Sequence, residues 1–503
     1  MASWLFRRAV LDGARSALTF GDTCWSFGDL ADRVARFAAI FREKAGAGIR
    51  IGYLGHNHPD AIVAMIAASA VGAVFVPLNA RLTQGELGFI IEDAGIGLLL
   101  VETSCQARAD ALRGDIGCAH FLAVGSASAG WTAIDALIGN MAADRACMDA
   151  APSDMAAIVY TSGTTGRPKG AMLTHANLWA NDINYVTAFG INAHDVALIV
   201  APVFHVSGLF VLTCTTLMMG GYVVLAPGFD AGFMLDAVER HGVTTTFGVP
   251  AMMLFLSEHP RFATADLSSL RLYIAGGAPV PQHVLQVYAD RGVPVSQCYG
   301  MSEVTSATVF LNPRDALRKL GSAGLAMMLA EVRLLANDGS VIREAWVKGE
   351  IAVRGGNVSP GYWRNPQATA ATINTDGWLR TGDVGQMDDE GYLFVCDRVK
   401  DMIISGGENI YPAEIENILL SHPAIAHIAV IGRPDPRWGE SVAAVAVLQE
   451  GEALDLPTLQ AFCEERLARY KIPRALHVVE SLPLNGSGKV VKAQLRLLLE
   501  ENV

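Results

Sequence analysis

Charge is scarce in this chain. Only 17% of its 503 residues are charged, and the balance is acidic, −12 at pH 7. That balance disfavours general nucleic-acid binding and adsorption to anionic membranes, leaving room only for a local basic patch. Cysteine pairing is missing as well. Cysteines stand at 24, 105, 118, 147, 214, 298, 396 and 463 with no CxxC spacing. The spacing suggests neither a zinc site nor a disulfide framework, and it points to buried free thiols in a reducing cytosol. The first residues, MASWLFRRAV, lack a basic start followed by a long apolar core, so no signal peptide is expected. The last residues, ENV, carry no peroxisomal SKL address. A cytoplasmic location follows as the expectation. No internal repeat and no low-complexity segment is present.

A long uninterrupted apolar run is also absent, although one segment comes close. Residues 198–227 contain no Lys, Arg, Asp or Glu. Pro202, His205, Ser207, Gly208 and the pair Gly220–Gly221 interrupt them. The segment therefore reads as strand, loop, buried helix, turn and strand, with no transmembrane segment.

What is abundant is apolar residues, 51% of the chain, enough for large cores. Short β-branched runs at 49–57, 73–79, 96–102, 245–250 and 270–277 alternate with helical stretches at 58–72 and 281–292. That alternation predicts an α/β fold with mostly parallel sheets. After Gly321 short strands at 330–336 and 349–355 are punctuated by turns, a small β-rich subdomain. From about residue 400 the pattern is compact α+β, with helices at 412–421 and 457–469 and strands at 428–432, 443–448 and 476–479.

The most unusual stretch is YTSGTTGRPKG, residues 160–170. It begins where the apolar strand DMAAIVY ends. Gly163, Gly166 and Gly170 allow close approach of a ligand to the backbone. Thr161, Ser162, Thr164 and Thr165 add hydroxyl donors, and Lys169 adds a cation. Such a loop suits a polyphosphate. It is not the Walker pattern, because Gly170 follows the lysine where Ser or Thr is required. Taken alone, it also fits a flexible surface loop.

Further motifs follow in order: YGMSE (299–303), GYW (361–363), DGWLRTGD (376–383), DRVKDMIISGGENIYPAEIE (397–416) and NGSGKV (485–490). Together with the loop they resemble the adenylate-forming superfamily of acyl-CoA synthetases, peptide-synthetase adenylation domains and luciferases. The resemblance runs from about residue 20 to 497. Within that superfamily the chain is most similar to bacterial fatty-acyl-CoA synthetases and to hydroxycinnamate (feruloyl or 4-coumarate) CoA ligases.

The resemblance implies a large N-terminal domain, 1–399, of stacked, mostly parallel sheets with helices and the β-rich subdomain. This domain takes ATP and the acyl substrate. A small mobile α+β domain, 400–503, would carry the catalytic lysine and the CoA loop. Glu303 is implied as the ligand that ties Mg²⁺ to ATP, a hard oxygen for a hard cation. Gly300 and Ser302 flank it, with Ser302 where the family has Thr. Asp383 and Arg398 correspond to the ribose contacts; the bland reading of Asp383 is a turn residue. Gly276, Gly277, Ala278 and Tyr299 correspond to the adenine walls. Lys489 corresponds to the lysine between substrate carboxylate and α-phosphate, where two anions meet and a cation is required. Lys400 corresponds to the hinge.

Gly406, Gly407 and Glu408 match the pantetheine loop, and Trp438, Tyr470, Lys471 and Arg81 match residues near the CoA nucleotide. His205 matches the residue bordering the acyl pocket, which Val249, Met252, Met253 and Met301 would line. FHVSG replaces the aspartate pattern of amino-acid-activating domains and favours a plain acid. The expected activity is an AMP-forming acid–thiol ligase using ATP, Mg²⁺ and CoA. Its acid is expected to be a medium- or long-chain fatty acid. Alternatives are a hydroxycinnamate or a luciferase-like oxygenase acting on the adenylate. A homodimer is allowed.

Overall fold

Runs of β-branched and aliphatic residues form strands buried on both faces, as parallel sheets require. In the computed structural model, residues 1–44, 48–161, 167–398, 401–405, 408–435, 439–464, 466–484 and 490–500 are described. Contacts divide the chain into two compact units. The first comprises Met1–Val332 with Val353–Leu379, and the second Arg333–Ala352 with Arg380–Val503. The expected boundary at 400 falls inside the second unit.

Two sheets build the first unit. One has seven strands in the order Thr132–Ala133, His120–Val124, Ile96–Glu102, Arg50–Gly55, Val74–Asn79, Met155–Thr161, Lys169–Thr174. All neighbours are parallel except the last pair. The other sheet has nine strands. Its parallel centre runs Val295–Tyr299, Leu272–Gly276, Thr245–Gly248, Val196–Ile199, Tyr222–Leu225, Ser16–Phe20. Antiparallel strands close both edges.

The main core joins residues of both sheets to the helices Phe27–Lys44 and Pro59–Ala70. Every residue of Pro59–Ala70 is buried, Asp60 and Ser69 included, so this helix is enclosed on all sides and not amphipathic. The apolar segment 198–227 resolves as expected. The strand ending at Ile199 leads through a loop to a π-helical turn Ser207–Val211, a helix Thr213–Met219 and the strand Tyr222–Leu225. Among the described residues no helix is long and apolar enough to cross a membrane. All eight cysteines are free, and Cys24 and Cys147 are exposed where buried thiols were expected.

Most of a five-stranded sheet belongs to the second unit, in the order Val341–Ile342, Ala330–Leu335, Gly349–Gly355, Leu379–Met387, Leu393–Arg398. Beyond it, Glu408–Ile410, Ile403–Ser405, Gly439–Leu448 and Ile425–Asp435 form a further sheet, and Ala475–Val478 adds to Gly439–Leu448. The helices Pro412–Leu419 and Leu456–Glu464 contribute to one apolar cluster on this sheet. Leu495, from Lys492–Glu500, belongs to another.

Positive φ is tolerated at very different cost in different surroundings. Gly21 (φ +57) has nothing within 4 Å of an added Cβ, whereas at Gly324 (φ +108) a Cβ would run into the Phe310 carbonyl. Gly21→Ala should cost about 1 kcal/mol. Gly324→Ala adds a backbone clash and should cost about 3 kcal/mol or more. Thermal denaturation of the two variants checks the difference; equal midpoints would remove the steric argument.

Candidate active site

The Thr/Gly loop connects two antiparallel strands, with Thr161 ending one and Lys169 opening the next, directly opposite each other. Ser162, Gly163, Thr164, Thr165 and Gly166 lie outside the described residues. Lys169 is thus the first residue of a strand. Its Nζ stands 5.4 Å over the Tyr362 ring, a cation–π distance.

Beside it lies the turn that carries Glu303. The strand Val295–Tyr299 ends at half-buried Tyr299. At Gly300 the backbone passes so close to the Ser306 carbonyl that no Cβ fits. Half-buried Met301 leads into a 3₁₀ turn, Ser302–Val304, closed by Thr305 at φ +68. Ser302 and Glu303 are buried, Glu303 being 7% exposed. Its Oε1 accepts from the Tyr362 hydroxyl at 2.9 Å and, at a long 3.5 Å, from Thr161 Oγ1. Among the described residues no ion pair reaches it. Burial, and next the negative charge of Glu303, push the Tyr362 pKa well up, so its phenol keeps its proton.

The segment 355–363 locks this turn. Ser359 N–H donates to the Glu303 carbonyl (2.8 Å), and Thr305 Oγ1 to the Asn357 carbonyl (2.8 Å). Asn357 Nδ2 donates to the Val304 and Ala307 carbonyls. The same segment reaches across to the strand after the loop, where Trp363 N–H bonds the Gly170 carbonyl and Met172 N–H the Gly361 carbonyl. GYW was noticed in the sequence as a motif. The Tyr362–Glu303 bond was not foreseen, and no periodicity could have revealed it.

Other candidates follow the carboxyl ends of successive parallel strands of the nine-stranded sheet, where open α/β sheets bind ligands. His205 follows Val196–Ile199, Val249 follows Thr245–Gly248, Gly277 and Ala278 follow Leu272–Gly276, and Gly300 follows Val295–Tyr299. Gly277 takes φ +89, and an added Cβ would touch Val249 Cγ1 at 3.5 Å. Gly277 and Ala278 are exposed.

Exposed His205 accepts from Ser207 N–H at 3.2 Å and pairs with Ser207 Oγ at 2.9 Å, both through Nδ1. These bonds require a lone pair on Nδ1 and leave the ring proton on Nε2. The loop before it hangs on Asn57, which sequence reasoning missed. Buried Asn57 donates to the Ala201 and Ala226 carbonyls and accepts from Val203 N–H.

Val249 caps the helix Pro250–Glu258. Met253 is completely buried in a core cluster with Met234, Leu285 and Tyr288, and half-buried Met252 packs against the same cluster. Arg81 is exposed, with its N–H on Asn79 Oδ1.

In the second unit, Asp383 lies within a strand and not in a free turn. It is buried, preceded by Gly382 at φ +72, and paired in register with Arg398. Glu408 opens the strand that pairs with Ile403–Ser405. Tyr470 is exposed, and Lys471 Nζ pairs with Glu414 at 2.5 Å. Lys400, Gly406, Gly407, Trp438 and Lys489 lie outside the described residues.

Comparison with known proteins gives these features a common source. Residues 5–363 match the AMP-binding enzyme model, and residues 414–489 match the AMP-binding enzyme C-terminal domain. A feruloyl-CoA synthase of an Amycolatopsis species is 41% identical, covering 99% of this chain and 98% of that one. The long-chain-fatty-acid–CoA ligase FadD13 of Mycobacterium tuberculosis is 36% identical over 89% of this chain and 88% of its own. The O-succinylbenzoate CoA synthetase of Bacillus subtilis, solved with ATP and magnesium ion, superimposes with a TM-score of 0.87 at 35% identity, covering 98% of both chains. The chain belongs to the AMP-binding, adenylate-forming enzyme family, among its acid–thiol ligases.

Proposed function

We propose that this protein joins a ring-bearing apolar acid of the hydroxycinnamate kind to CoA through an acyl-adenylate. The observation that carries the ligase chemistry is Glu303. It is a buried carboxylate met by hydroxyls, with no ion pair among the described residues. A buried charge in that state calls for a cation. Its hard oxygens fit Mg²⁺, which when bound would neutralise phosphate charge.

The residues divide the work. The loop from Thr161 to Lys169 holds the ATP phosphates. Gly277, Ala278, Tyr299 and Gly300 receive the adenine, and Asp383 and Arg398 the ribose. The substrate carboxylate oxygen attacks the α-phosphorus and pyrophosphate leaves. Lys489 offsets the negative charge gathered there. The CoA sulfur then attacks the acyl carbonyl, giving up its proton, and AMP leaves. The loop Gly406–Glu408 guides the thiol, while Arg81, Trp438, Tyr470 and Lys471 serve the CoA nucleotide. The segment from Lys400 onward is assigned the movement between the two steps.

For the acid, His205, Val249, Met252 and Met301 line the slot. Met253 faces the core in the structure, which shortens the apolar wall and supports a compact ring over a long chain. The 41% identity to a feruloyl-CoA synthase supports the same reading. A medium- or long-chain fatty acid is the second reading, favoured by the 36% identity to FadD13.

Lys489→Ala should lower pyrophosphate release by about 10²–10³-fold while pre-formed acyl-adenylate and CoA still yield thioester. Loss of both half-reactions in a folded variant would refute the division of labour. Tyr362→Phe removes one hydrogen bond to a charged group, worth about 1.5–3 kcal/mol. The KM for ATP–Mg²⁺ should therefore rise about ten- to a hundredfold, with the ranking of acids unchanged. A reordered ranking at constant ATP affinity would move Tyr362 to the acyl site.

A kcat/KM panel of ferulate, other aryl acids and straight-chain acids decides the substrate; a straight-chain optimum would overturn the aryl reading. In the same panel Met252→Ala should reorder the acids. Met253→Ala should instead cost about 2–5 kcal/mol of stability and leave the order intact. Reordering by Met253→Ala alone would place the slot on the other side of the helix.

A further inference from the structure

A second cluster of chemically active side chains lies in the seven-stranded sheet and includes no residue given a role in the ligase reaction. The strands Arg50–Gly55 and Ile96–Glu102 are adjacent and parallel. From the first, the chain leaves through the helix Pro59–Ala70 to Val74–Asn79 on one side. From the second, it leaves through Gln106–Asp110 to His120–Val124 on the other. The two helices contribute to different apolar clusters. Between these strands the connections diverge, which makes a topological switch point. In open α/β sheets such a crevice, at the carboxyl ends of the strands, is where ligands bind.

Three donor side chains converge there. His56 is the first residue after one strand, Glu102 the last residue of the other, and Cys105 follows it on a 3₁₀ turn. Their ligand atoms all lie within 4.8 Å of one another. The local backbone is built around them. Gly55 passes so close to Glu102 Cβ that a side chain there would collide. Buried Tyr53 donates its hydroxyl to the His56 carbonyl at 3.0 Å and fixes the start of the loop. Ser104 directs the carboxylate, donating its N–H to Glu102 Oε1 at 3.2 Å and its hydroxyl to Oε2. His56 Nδ1 faces Glu102 Oε2 at 3.4 Å and Ser104 Oγ at 3.2 Å. The His56 side chain is 59% exposed and Glu102 half-buried, while Cys105 is buried, so an ion would be met first by the imidazole and the carboxylate.

We propose that His56, Glu102 and Cys105 form a binding site for a zinc-type divalent transition metal. Thiolate, imidazole and carboxylate together select such an ion over Mg²⁺ or Ca²⁺, which prefer oxygen alone. Bonds of about 2.0–2.3 Å to a tetrahedral zinc place its ligands about 3.3–3.7 Å apart. The cluster needs to contract by only about 1 Å at its widest to meet that geometry. On binding, the Cys105 thiol gives up its proton and the sulfur bonds the metal. With three protein ligands, the fourth position stays open to water or a small ligand.

Titration of the tag-free full chain with Co²⁺ tests this. One Co²⁺ per chain should bind, with tetrahedral visible bands and an ultraviolet thiolate-to-cobalt band, and Zn²⁺ but not Mg²⁺ should displace it. Cys105→Ser should abolish the ultraviolet band. His56→Ala, at an exposed position and harmless to the core, should weaken binding at least tenfold, and Glu102→Gln should weaken it as well. The proposal falls if no thiolate band appears. It falls equally if the band survives Cys105→Ser, which would put the metal on exposed Cys24 or Cys147. Unchanged affinity in both His56→Ala and Glu102→Gln would leave a hydrogen-bonded turn and no metal site.

Discussion

The larger unit is organised around a carboxylate that is out of water and has no ion pair among the described residues. Burying an ionised carboxylate costs several kcal/mol unless hydrogen bonds compensate. At Glu303 they come from Tyr362 and Thr161, which stand 59 and 142 residues away in sequence. Neither donor can be placed by local structure alone. Tyr362 is held by backbone bonds that tie Gly361 and Trp363 to the strand Lys169–Thr174. Thr161 is held by the pairing of that strand with its neighbour. The hairpin, the turn and the segment 355–363 therefore have to be correct together, or the carboxylate is left without donors.

Buried asparagines make this possible. A chain that turns at the end of a parallel strand leaves carbonyls inside the protein, and each needs a donor. An asparagine side chain offers two. Asn357 serves Val304 and Ala307, Asn177 serves Gly356 and Val358, and Asn57 serves Ala201 and Ala226. Asn181 adds the Phe210 carbonyl while accepting from Ser306. These residues contact several loops that carry the candidate site residues.

The parts of the fold that rest on local pattern were legible in the sequence. Runs such as 49–57 and 96–102 are apolar because both faces of their strands are buried, and they appear as Arg50–Gly55 and Ile96–Glu102. The segment 198–227 is separated from a membrane span by Pro202 and its glycines, and in the structure Gly220, in the left-handed conformation, ends its helix Thr213–Met219 before the strand Tyr222–Leu225. What depends on distant pairing was not legible. Ser16–Phe20 joins the nine-stranded sheet beside Tyr222–Leu225, about two hundred positions on. Nothing in SALTF names that partner. The strand expected at 428–432 runs from Ile425 to Asp435, because pairing with Gly439–Leu448 continues past its apolar centre. Glu303 was found through its motif, while its hydroxyl partner Tyr362 depends on tertiary contact alone.

Which apolar residues are core is the least legible layer, and one turn of helix shows why. Val249, Met252, Met253 and Leu256 are all apolar, so composition assigns them equally to a core or to a slot. In a helix, neighbouring residues point about 100° apart. Met253 and Leu256, three positions apart, share the face that is buried in the cluster beneath, and half-buried Met252 packs against the same cluster while keeping part of its surface open. A core methionine and a slot methionine obey the same hydrophobic preference and differ only in what lies opposite them. The helix packing decides that, and the packing is fixed by Tyr288, whose hydroxyl reaches the Met253 carbonyl at 3.0 Å from a helix that begins 29 residues further along the chain than Met253 itself, at Gln282. The reaction is written in residues of distinctive chemistry and is visible early. Which residue of an apolar helix belongs to the core is written in the rotation of that helix, and it becomes readable only once the fold has set that rotation.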